Sequence, residues 1–398
     1  MAKKSIRDLE VRGRRVLCRV DFNVPLDSAG HVTDSLRIRA ALPTIEHLLK
    51  GGARLILMSH LGRPKGGPAP EFSLRPVQRE LAKLLGQPVV FSADCIGTEA
   101  EAAAHALKDG EVLLLENLRF HAGEEKNAPD FVTALARLGE LYVNDAFGTA
   151  HRAHASTEGV ARALGNATGG FLMEKELRFL NDELADPTRP LVAVLGGAKV
   201  SGKIDVIENL IAKVDSIVVG GGMMFTFYKA MGLDIGSSLL EEDRVQMARD
   251  LMERCRAAGV ELLLPVDVLV ADRFAPDAGT QVVDRERIPA GWIGVDIGPR
   301  SIEAIRALLG KANTVVWNGP MGVFEMEPFS HGTLAVARAL VQRTAAGAIT
   351  IVGGGDSAAA VAAAGLEDGF SHVSTGGGAS LELLEGKLLP GVEALDEA

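Results

Sequence analysis

Short apolar stretches alternate with segments of helical periodicity along the whole chain, and this alternation restricts the fold more than any other feature. The stretches are rich in Val, Leu and Ile, as strands buried in a parallel sheet are. The segments between them place apolar residues on one helical face, for example Leu74, Val77, Leu81 and Leu85. This order predicts an α/β fold with parallel sheets. The predicted strands are 16–20, 55–58, 88–91, 112–115, 141–143, 191–195, 217–219, 261–264, 314–317, 348–352 and 372–374.

The alternation begins a second time after Pro190, which predicts two doubly wound, Rossmann-like domains with a cleft between them. A chain of 398 residues also exceeds the size at which one core normally keeps growing. Apolar residues at helical spacing over 171–184, followed by the stop signal Asp186-Pro187, predict a helix that joins the domains. The expected boundaries are 1–171 for the first domain, 172–187 for the connecting hinge helix and 188–388 for the second domain.

Composition and charge exclude several classes of protein. The net charge of -10 argues against nonspecific binding of nucleic acid. No stretch approaches about eighteen uninterrupted apolar residues, and the first residues do not form a secretory signal, so we expect a cytoplasmic protein without a membrane span. Residues up to Phe171 carry 22 Lys and Arg against 20 Asp and Glu, whereas the remainder carries 20 against 32. An anionic ligand is therefore expected in the first half. The three widely spaced cysteines, Cys18, Cys95 and Cys255, are typical of reduced, buried thiols.

Glycine clusters follow four of the strands expected in the second half. In parallel sheets ligands bind beyond the carboxyl ends of strands, and a backbone without Cβ atoms can approach a polyphosphate closely. One such cluster is more typical of a tight turn, but four at one sheet edge predict a nucleotide site. The clusters are 196–197, 220–222, 353–355 and 376–378.

Residues 197–203 nearly form a Walker A loop, but Ile204 takes the place of the Ser or Thr that binds Mg²⁺. A P-loop or actin-like ATPase is therefore the weaker alternative. We expect instead that Lys199 and Lys203 lie on one face at the start of a helix and contact phosphate oxygens. Asp356, in a glycine-rich loop that begins a helix, is a candidate ligand of Mg²⁺ bound with the nucleotide, and capping of that helix is its alternative role.

Charged and polar side chains follow the strands of the first half. Arg and His residues that emerge together at one sheet edge predict a cationic basin suited to a small phosphorylated carboxylic acid. The segments that carry these side chains are 19–25, 37–39, 59–64, 116–120 and 145–152.

Several long motifs, in the same order and over essentially the whole chain, resemble those of the phosphoglycerate kinase family. The resemblance implies reversible transfer of the acyl phosphate of 1,3-bisphosphoglycerate to ADP, which yields 3-phosphoglycerate and ATP. It also implies Mg²⁺ with the nucleotide, a monomer, closure of the two domains about the hinge helix, and a C-terminal segment, 389–398, that packs on the first domain. A nucleotide-binding scaffold without activity is the nonenzymatic alternative. The motifs are 19–25 (RVDFNVP), 59–64 (SHLGRP), 195–200 (LGGAKV), 316–320 (VWNGP), 322–325 (GVFE), 353–357 (GGGDS) and 374–380 (STGGGAS).

The same resemblance implies a role for individual residues of this chain. Phosphoryl transfer requires little covalent chemistry from the protein, but the charge on the transferring group must be compensated. The cations of Arg37 and Lys199 and the backbone N–H groups of Gly376 and Gly377 are therefore expected to be catalytic. Asp356 is expected to hold the metal. The implied acid-substrate residues are Asp21, Asn23, Arg37, His60, Arg63, Arg119, His151 and Arg152, and the implied nucleotide residues are Lys199, Lys203, Gly220, Gly221, Gly294, Glu325, Gly354, Gly355, Asp356 and Ser357.

Overall fold

The computed structural model describes residues 3–65 and 67–398. The chain divides into two compact units, one comprising Met1–Leu177 with Leu388–Ala398 and the other comprising Arg178–Lys387. Each unit contains a six-stranded parallel sheet accompanied by helices. The predicted fold class, two α/β units with parallel sheets, is confirmed. None of the helices in the described part of the chain is long and apolar enough to cross a bilayer.

The first sheet has the strand order β3-β4-β2-β1-β5-β6, and every neighbouring pair is parallel. Residues of β1 are buried on both faces, and the face that carries Val16 and Cys18 packs against apolar side chains of α1 and α2. The strands are β1 (Arg15–Arg19), β2 (Arg54–Met58), β3 (Val90–Phe91), β4 (Val112–Leu114), β5 (Leu141–Asn144) and β6 (Ala167–Gly169). The α-helices are α1 (Leu36–Lys50), α2 (Arg75–Leu85), α3 (Gly97–Ala106), α4 (Pro129–Ala136), α5 (Val160–Leu164) and α6 (Phe171–Leu177).

The second unit contains a parallel sheet of order β15-β14-β13-β7-β8-β9 and a separate antiparallel sheet of order β11-β10-β12. The strands are β7 (Leu191–Leu195), β8 (Ser216–Val219), β9 (Glu261–Leu263), β10 (Asp267–Ala271), β11 (Thr280–Asp284), β12 (Ile293–Ile297), β13 (Thr314–Asn318), β14 (Ile349–Gly353) and β15 (His372–Val373). The helices are α7 (Glu183–Ala185), α8 (Ile204–Ile211), α9 (Met224–Ala230), α10 (Val245–Ala258), α11 (Pro299–Leu309), α12 (His331–Ala345), α13 (Gly355–Ala363) and α14 (Gly378–Leu384).

The segment expected to form one connecting helix is helical but interrupted. Helix α6 is followed by a π-helical turn, Arg178–Asp182, and then by the single turn of α7. The boundary between the compact units lies at the start of the π-helical turn. The turn therefore marks the position along the chain where one unit ends and the other begins.

The last eleven residues belong to the first compact unit. They include helix α15 (Pro390–Glu393), and Gly391 donates its N–H to the carbonyl of Ala150 at 2.8 Å. The carbonyl of Asp396 accepts from the N–H of Lys4, and its own N–H donates to the carbonyl of Ala167, both at 2.9 Å. These backbone bonds attach the C-terminal segment to β6 and to the loop after β5.

Candidate active site

Four strands of the first sheet, β1, β2, β4 and β5, end at the same edge because all neighbouring pairs are parallel. The loops that follow these strands carry most of the predicted acid-substrate residues. Arg37 comes from the first turn of α1, and Arg119 lies in a 3₁₀ turn, Leu118–Phe120. The fold thus brings together side chains that lie more than 100 residues apart in sequence.

Positive charge at this edge is concentrated around His60, which is buried. Arg19 donates from Nη2 to His60 Nδ1 at 3.1 Å, so the ring proton lies on Nε2. Burial first, and then the charges of Arg19, Arg119, Arg37 and Arg152, hold the pKa of His60 well below its ordinary value. His60 is therefore neutral at pH 7 and adds no positive charge to that of the surrounding arginines.

A buried network that the sequence did not reveal holds Arg19 in place. Arg19 Nε donates to Ser156 Oγ at 2.8 Å, and Ser156 donates from its N and Oγ to the carboxylate of Glu124 at 3.0 and 2.5 Å. His154 lies 3.9 Å from the same carboxylate. Burial, followed by the charges of nearby arginines including Arg119, lowers the pKa of His154 to about 4. Polar residues of this kind show no periodicity, so only tertiary contacts identify them.

Asp21 and Asn23 orient other parts of the site. Arg37 donates from Nη1 to Asp21 Oδ2 at 2.8 Å, while Asp21 Oδ1 accepts from the N–H of Asn23 at 3.1 Å. Asn23 Oδ1 in turn accepts from the N–H of Gly62 at 2.8 Å. The loop after β1 thus fixes both the guanidinium of Arg37 and the loop after β2.

The remaining predicted acid-substrate residues differ in how firmly they are held. Arg119 donates from Nη1 to the carbonyl of Gly62 at 2.8 Å. Arg152 donates from Nε to His151 Nε2 at 3.2 Å. Arg63 is exposed and makes no hydrogen bond or ion pair with residues 3–65 or 67–398. Its guanidinium is therefore available to a ligand.

In the second unit, the carboxyl ends of β7, β8, β13 and β14 open onto a cavity of about 490 Å³. A cavity of this size is within the range of small-molecule and cofactor sites. Among the predicted nucleotide residues, Gly221, Gly294, Glu325 and Asp356 line it. The other residues that line it are Gly197, Ala198, Gly222, Met224, Phe225, Ser237, Leu239, Phe274, Ile293, Val295, Asp296, Pro320, Met321, Gly322 and Val323.

Several glycines of the clusters serve the packing of neighbouring loops. A Cβ on Gly196 would lie 2.1 Å from the carbonyl oxygen of Pro320, and one on Gly221, at φ +64°, would lie 2.6 Å from the backbone of Gly197. A Cβ on Gly220 would lie 2.5 Å from Met321 Sδ. At Gly196 and Gly221 the missing Cβ lets the loops after β7, β8 and β13 pack backbone against backbone, and at Gly220 it leaves room for the side chain of Met321. Gly220 does not line the cavity.

The two lysines do not share a helical face, so this prediction is wrong. Residues 201–203 form turns, and helix α8 begins only at Ile204, with Lys203 at its N-cap. Lys199 is exposed, whereas Lys203 is half-buried and donates to Asn318 Oδ1. Burial lowers the pKa of Lys203 to about 8, opposed by the charges of Asp356 and Glu385. The glycine of the loop, Gly202, disfavours an early helical start.

Two further residues support this loop and were missed by sequence reasoning. Glu241 accepts from the N–H of Ser201 at 3.0 Å and also from Ser201 Oγ. The pKa of Glu241 is lower than its ordinary value. Burial alone would raise this pKa, but the bonds from Ser201 and the charge of Lys199 outweigh that effect. The second residue is Asn318, whose buried Nδ2 has no hydrogen-bond partner among the described residues. That N–H₂ group can donate to an oxygen of a ligand.

Around α13, the structure separates residues that face solvent from residues that support the fold. Asp356 is exposed in the first turn of α13, and no side chain caps this helix, so the capping alternative is not observed. Ser357 is buried, and its Oγ accepts from the N–H of Gly319 at 2.6 Å. This bond supports the loop after β13, and the expected contact of Ser357 with the nucleotide stays a prediction. Gly354 lies beside Asn318 at φ +85°, whereas Gly355 has open space around it.

The loop after β15 contains the remaining two candidates. The N–H of Gly376 donates to Ser374 Oγ at 3.1 Å. Gly377 has φ +52° and forms the N-cap of α14, and a Cβ there would meet nothing within 4 Å. Gly377 is thus the more accessible of the two, since contact through Gly376 requires its N–H to leave Ser374.

The chain matches the family model described as phosphoglycerate kinase over residues 6–387. It belongs to the phosphoglycerate kinase family. Among curated members of this family, it is 59% identical to phosphoglycerate kinase of Chlorobaculum tepidum over 397 residues and 57% identical to that of Chloroherpeton thalassium over 398 residues, and each match covers 100% of both chains.

Solved structures of the family agree with this assignment. The structure of phosphoglycerate kinase from Coxiella burnetii matches with a TM-score of 0.89 and 43% identity, and the match covers 98% of each chain. That from Pyrococcus horikoshii matches with a TM-score of 0.80 and 33% identity, covering 99% of this chain and 98% of the other.

Membership of the phosphoglycerate kinase family confirms the predicted enzyme class and reaction. The protein is a phosphotransferase of glycolysis with a carboxyl group as acceptor, and it interconverts 1,3-bisphosphoglycerate and ADP with 3-phosphoglycerate and ATP. Neither a P-loop ATPase nor a scaffold without activity agrees with a family match of this extent.

Proposed function

We propose that the first unit binds the phosphorylated acid and the second binds the nucleotide with Mg²⁺. The observation that carries the proposal is the convergence of Arg19, Arg37, Arg119 and Arg152 on His60 at one sheet edge. Planar guanidinium groups bind phosphate and carboxylate oxygens in pairs, and a neutral His60 with its proton on Nε2 adds a donor.

In the acid site, exposed and anchored groups have different roles. Arg63 is free to close on the 3-phosphate, and Arg152 with His151 borders the same basin. Asp21 and Asn23 act through Arg37 and Gly62, which they hold by hydrogen bonds. Pre-organisation of the cations lowers the entropy lost when the substrate is ordered.

In the nucleotide site, the base and ribose occupy the 490 Å³ cavity. Gly221 and Gly294 line the part of the cavity that takes the base, and Glu325 accepts from the ribose hydroxyls. Lys199, Lys203 and the orphaned N–H₂ of Asn318 face the polyphosphate, with Gly354 and Gly355 allowing close approach at the start of α13.

The exposed carboxylate of Asp356 fits Mg²⁺, because this ion takes one or two carboxylates together with phosphate oxygens and waters. Asp356 lines the cavity and lies at the start of a helix, close enough to Lys203 to act on its charge. When bound, the ion neutralises charge on the nucleotide phosphates.

Catalysis rests on compensation of charge. The attacking carboxylate carries no proton, so no general base is required, and Arg37, Lys199 and the N–H groups of Gly377 and Gly376 stabilise the equatorial oxygens of the transferring group. The acid and nucleotide sites lie on different units, so we propose that hinge bending at the connecting segment unites them and excludes water. The enzyme acts as a cytoplasmic monomer.

The test is ATP formation from ADP and 1,3-bisphosphoglycerate, with Mg²⁺ present and then chelated. Arg37→Ala and Lys199→Ala should each lower kcat by roughly 10²- to 10³-fold, as loss of one oxyanion donor does. Arg306→Ala, at an exposed position of α11 that does not line the cavity, is the matched control and should change kcat little. Activity that survives both substitutions and chelation would contradict the assigned roles.

A further inference from the structure

A cluster of metal-ligating side chains lies outside the residues assigned to catalysis. Asp94, Cys95 and His121 each offer one ligand atom, and these atoms all lie within 4.8 Å of one another. Asp94 and Cys95 follow β3, and His121 follows the 3₁₀ turn after β4. Since β3 and β4 are parallel neighbours, their carboxyl ends bring the three residues together. It is the only such group of three among residues 3–65 and 67–398.

We propose that Asp94, Cys95 and His121 form a binding site for Zn²⁺ or a similarly thiophilic divalent cation. Thiolate sulfur, imidazole nitrogen and carboxylate oxygen are the ligands that zinc takes, and three protein ligands with one open position make a tetrahedral site that a water completes. Mg²⁺ prefers an all-oxygen shell, so the site is distinct in chemistry from the one at Asp356.

Burial determines how the ion enters. Cys95 is 1% exposed, whereas the side chains of Asp94 and His121 are 47% and 31% exposed. The sulfur therefore lies at the bottom of the site, and the ion arrives from the solvent side between the other two ligands. The thiol proton leaves to solvent when the sulfur coordinates the ion.

In the present geometry His121 Nε2 lies 2.6 Å from Asp94 Oδ1, as in a direct hydrogen bond. Zinc bound to both atoms at about 2.0 to 2.1 Å separates them to roughly 3.3 Å, a shift that two partly exposed side chains can make. Asp94 Oδ1 also accepts from the N–H of Cys95 at 2.6 Å, which holds the carboxylate beside the sulfur.

The chain offers a matched control. His31 and Asp27 form a similar pair, with Nδ1 3.2 Å from Oδ2, but the part of the chain that the structure describes brings no cysteine to them. If a His–Asp pair alone sufficed to bind zinc, the two places would behave alike. The proposal requires sulfur as the third ligand.

The experiment titrates Zn²⁺ into tag-free, chelator-treated protein without nucleotide, in competition with a chromogenic indicator. We expect one equivalent bound, not displaced by excess Mg²⁺, and with Co²⁺ a thiolate-to-metal charge-transfer band in the near ultraviolet. Cys95→Ser and His121→Gln should each weaken binding by more than about 100-fold, beyond what loss of an outer partner costs. His31→Gln should leave the affinity unchanged.

His121→Gln changes a partly exposed side chain, so it keeps the test valid if Cys95→Ser fails to fold. Thermal unfolding of each variant establishes that the protein tested is native. Absence of stoichiometric binding, a Co²⁺ complex without the thiolate band, or equal affinity in wild type and His121→Gln would each overturn the proposal.

Discussion

The replacement Gly294→Ala tests the nucleotide cavity through a single carbon atom. A Cβ at position 294 would lie 1.9 Å from Phe225 Cζ, and 2.7 and 2.9 Å from its Cε atoms. Carbon atoms pack at about 3.5 to 4.0 Å, so the ring must move by roughly 1.5 to 2 Å. Phe225 is buried and packs edge-on against Tyr228 with ring centroids 5.8 Å apart, which limits the directions open to it.

Since Phe225 and Gly294 both line the cavity, we expect the displaced ring to take space from the base. Overpacking costs about 1 to 3 kcal/mol, which corresponds to a rise of roughly 5- to 150-fold in the Kd for ADP if the whole cost falls on binding. If it falls instead on folding, the thermal midpoint drops by roughly 2 to 12 °C.

Isothermal titration with ADP and differential scanning calorimetry measure both effects. Phe225→Leu in the Gly294→Ala background should recover part of the loss, because the two residues share one contact and their effects are not additive. Gly202→Ala is a control for the thermal midpoint, since its Cβ would meet nothing closer than 3.9 Å. An alanine at 294 with wild-type Kd and midpoint would refute the packing argument.

Three further changes test the site. Glu241→Gln should raise the KM for ADP several-fold with a smaller effect on kcat, because the amide holds Ser201 less firmly, and Glu241→Asp should restore part of the affinity in steady-state assays. Asp356→Asn should shift the Mg²⁺ dependence of activity to higher concentration, and an unchanged Mg²⁺ titration would exclude it as a ligand. His154 has a folded pKa of about 4 against 6.5 unfolded, so its contribution to stability is complete above pH 6.5 and is lost as the pH falls towards 4. The free energy of unfolding of His154→Gln, measured by denaturant titration, should therefore fall less than that of wild type between pH 6.5 and pH 4. Parallel curves for the two proteins would contradict the assignment.

The regular elements were largely predictable, and the irregular ones were not. The strand 191–195 and the helix that begins near Arg75 agree closely with expectation, because an apolar run of five residues between Pro190 and Gly196 is too short for a helix, and the stripe after Arg75 has a clear helical period. Strand β6 and the antiparallel sheet of β10, β11 and β12 were missed. β6 has three residues without a large apolar side chain, and β11 is mostly exposed, so neither shows the pattern of a buried strand.

At the site, residue types were predictable but individual roles were not. His60 and the arginines follow strand ends, where a parallel sheet collects side chains, so the basin could be expected. That His60 is neutral depends on its burial against Arg19, and that Ser357 supports Gly319 depends on the proximity of two loops. The spacing of Lys199 and Lys203 is that of neighbours on one helical face, but turns intervene between the two residues.

The sequence by itself determined the parallel α/β architecture, the family and the chemical character of each half, because periodicity, glycine clusters and charged strand ends are local along the chain. Tertiary structure decided which glycines accommodate a neighbouring loop, which carboxylates pair with an arginine, and which histidines stay neutral. Those properties arise from distances and burial between segments far apart in sequence, where desolvation and close contact outweigh local preference.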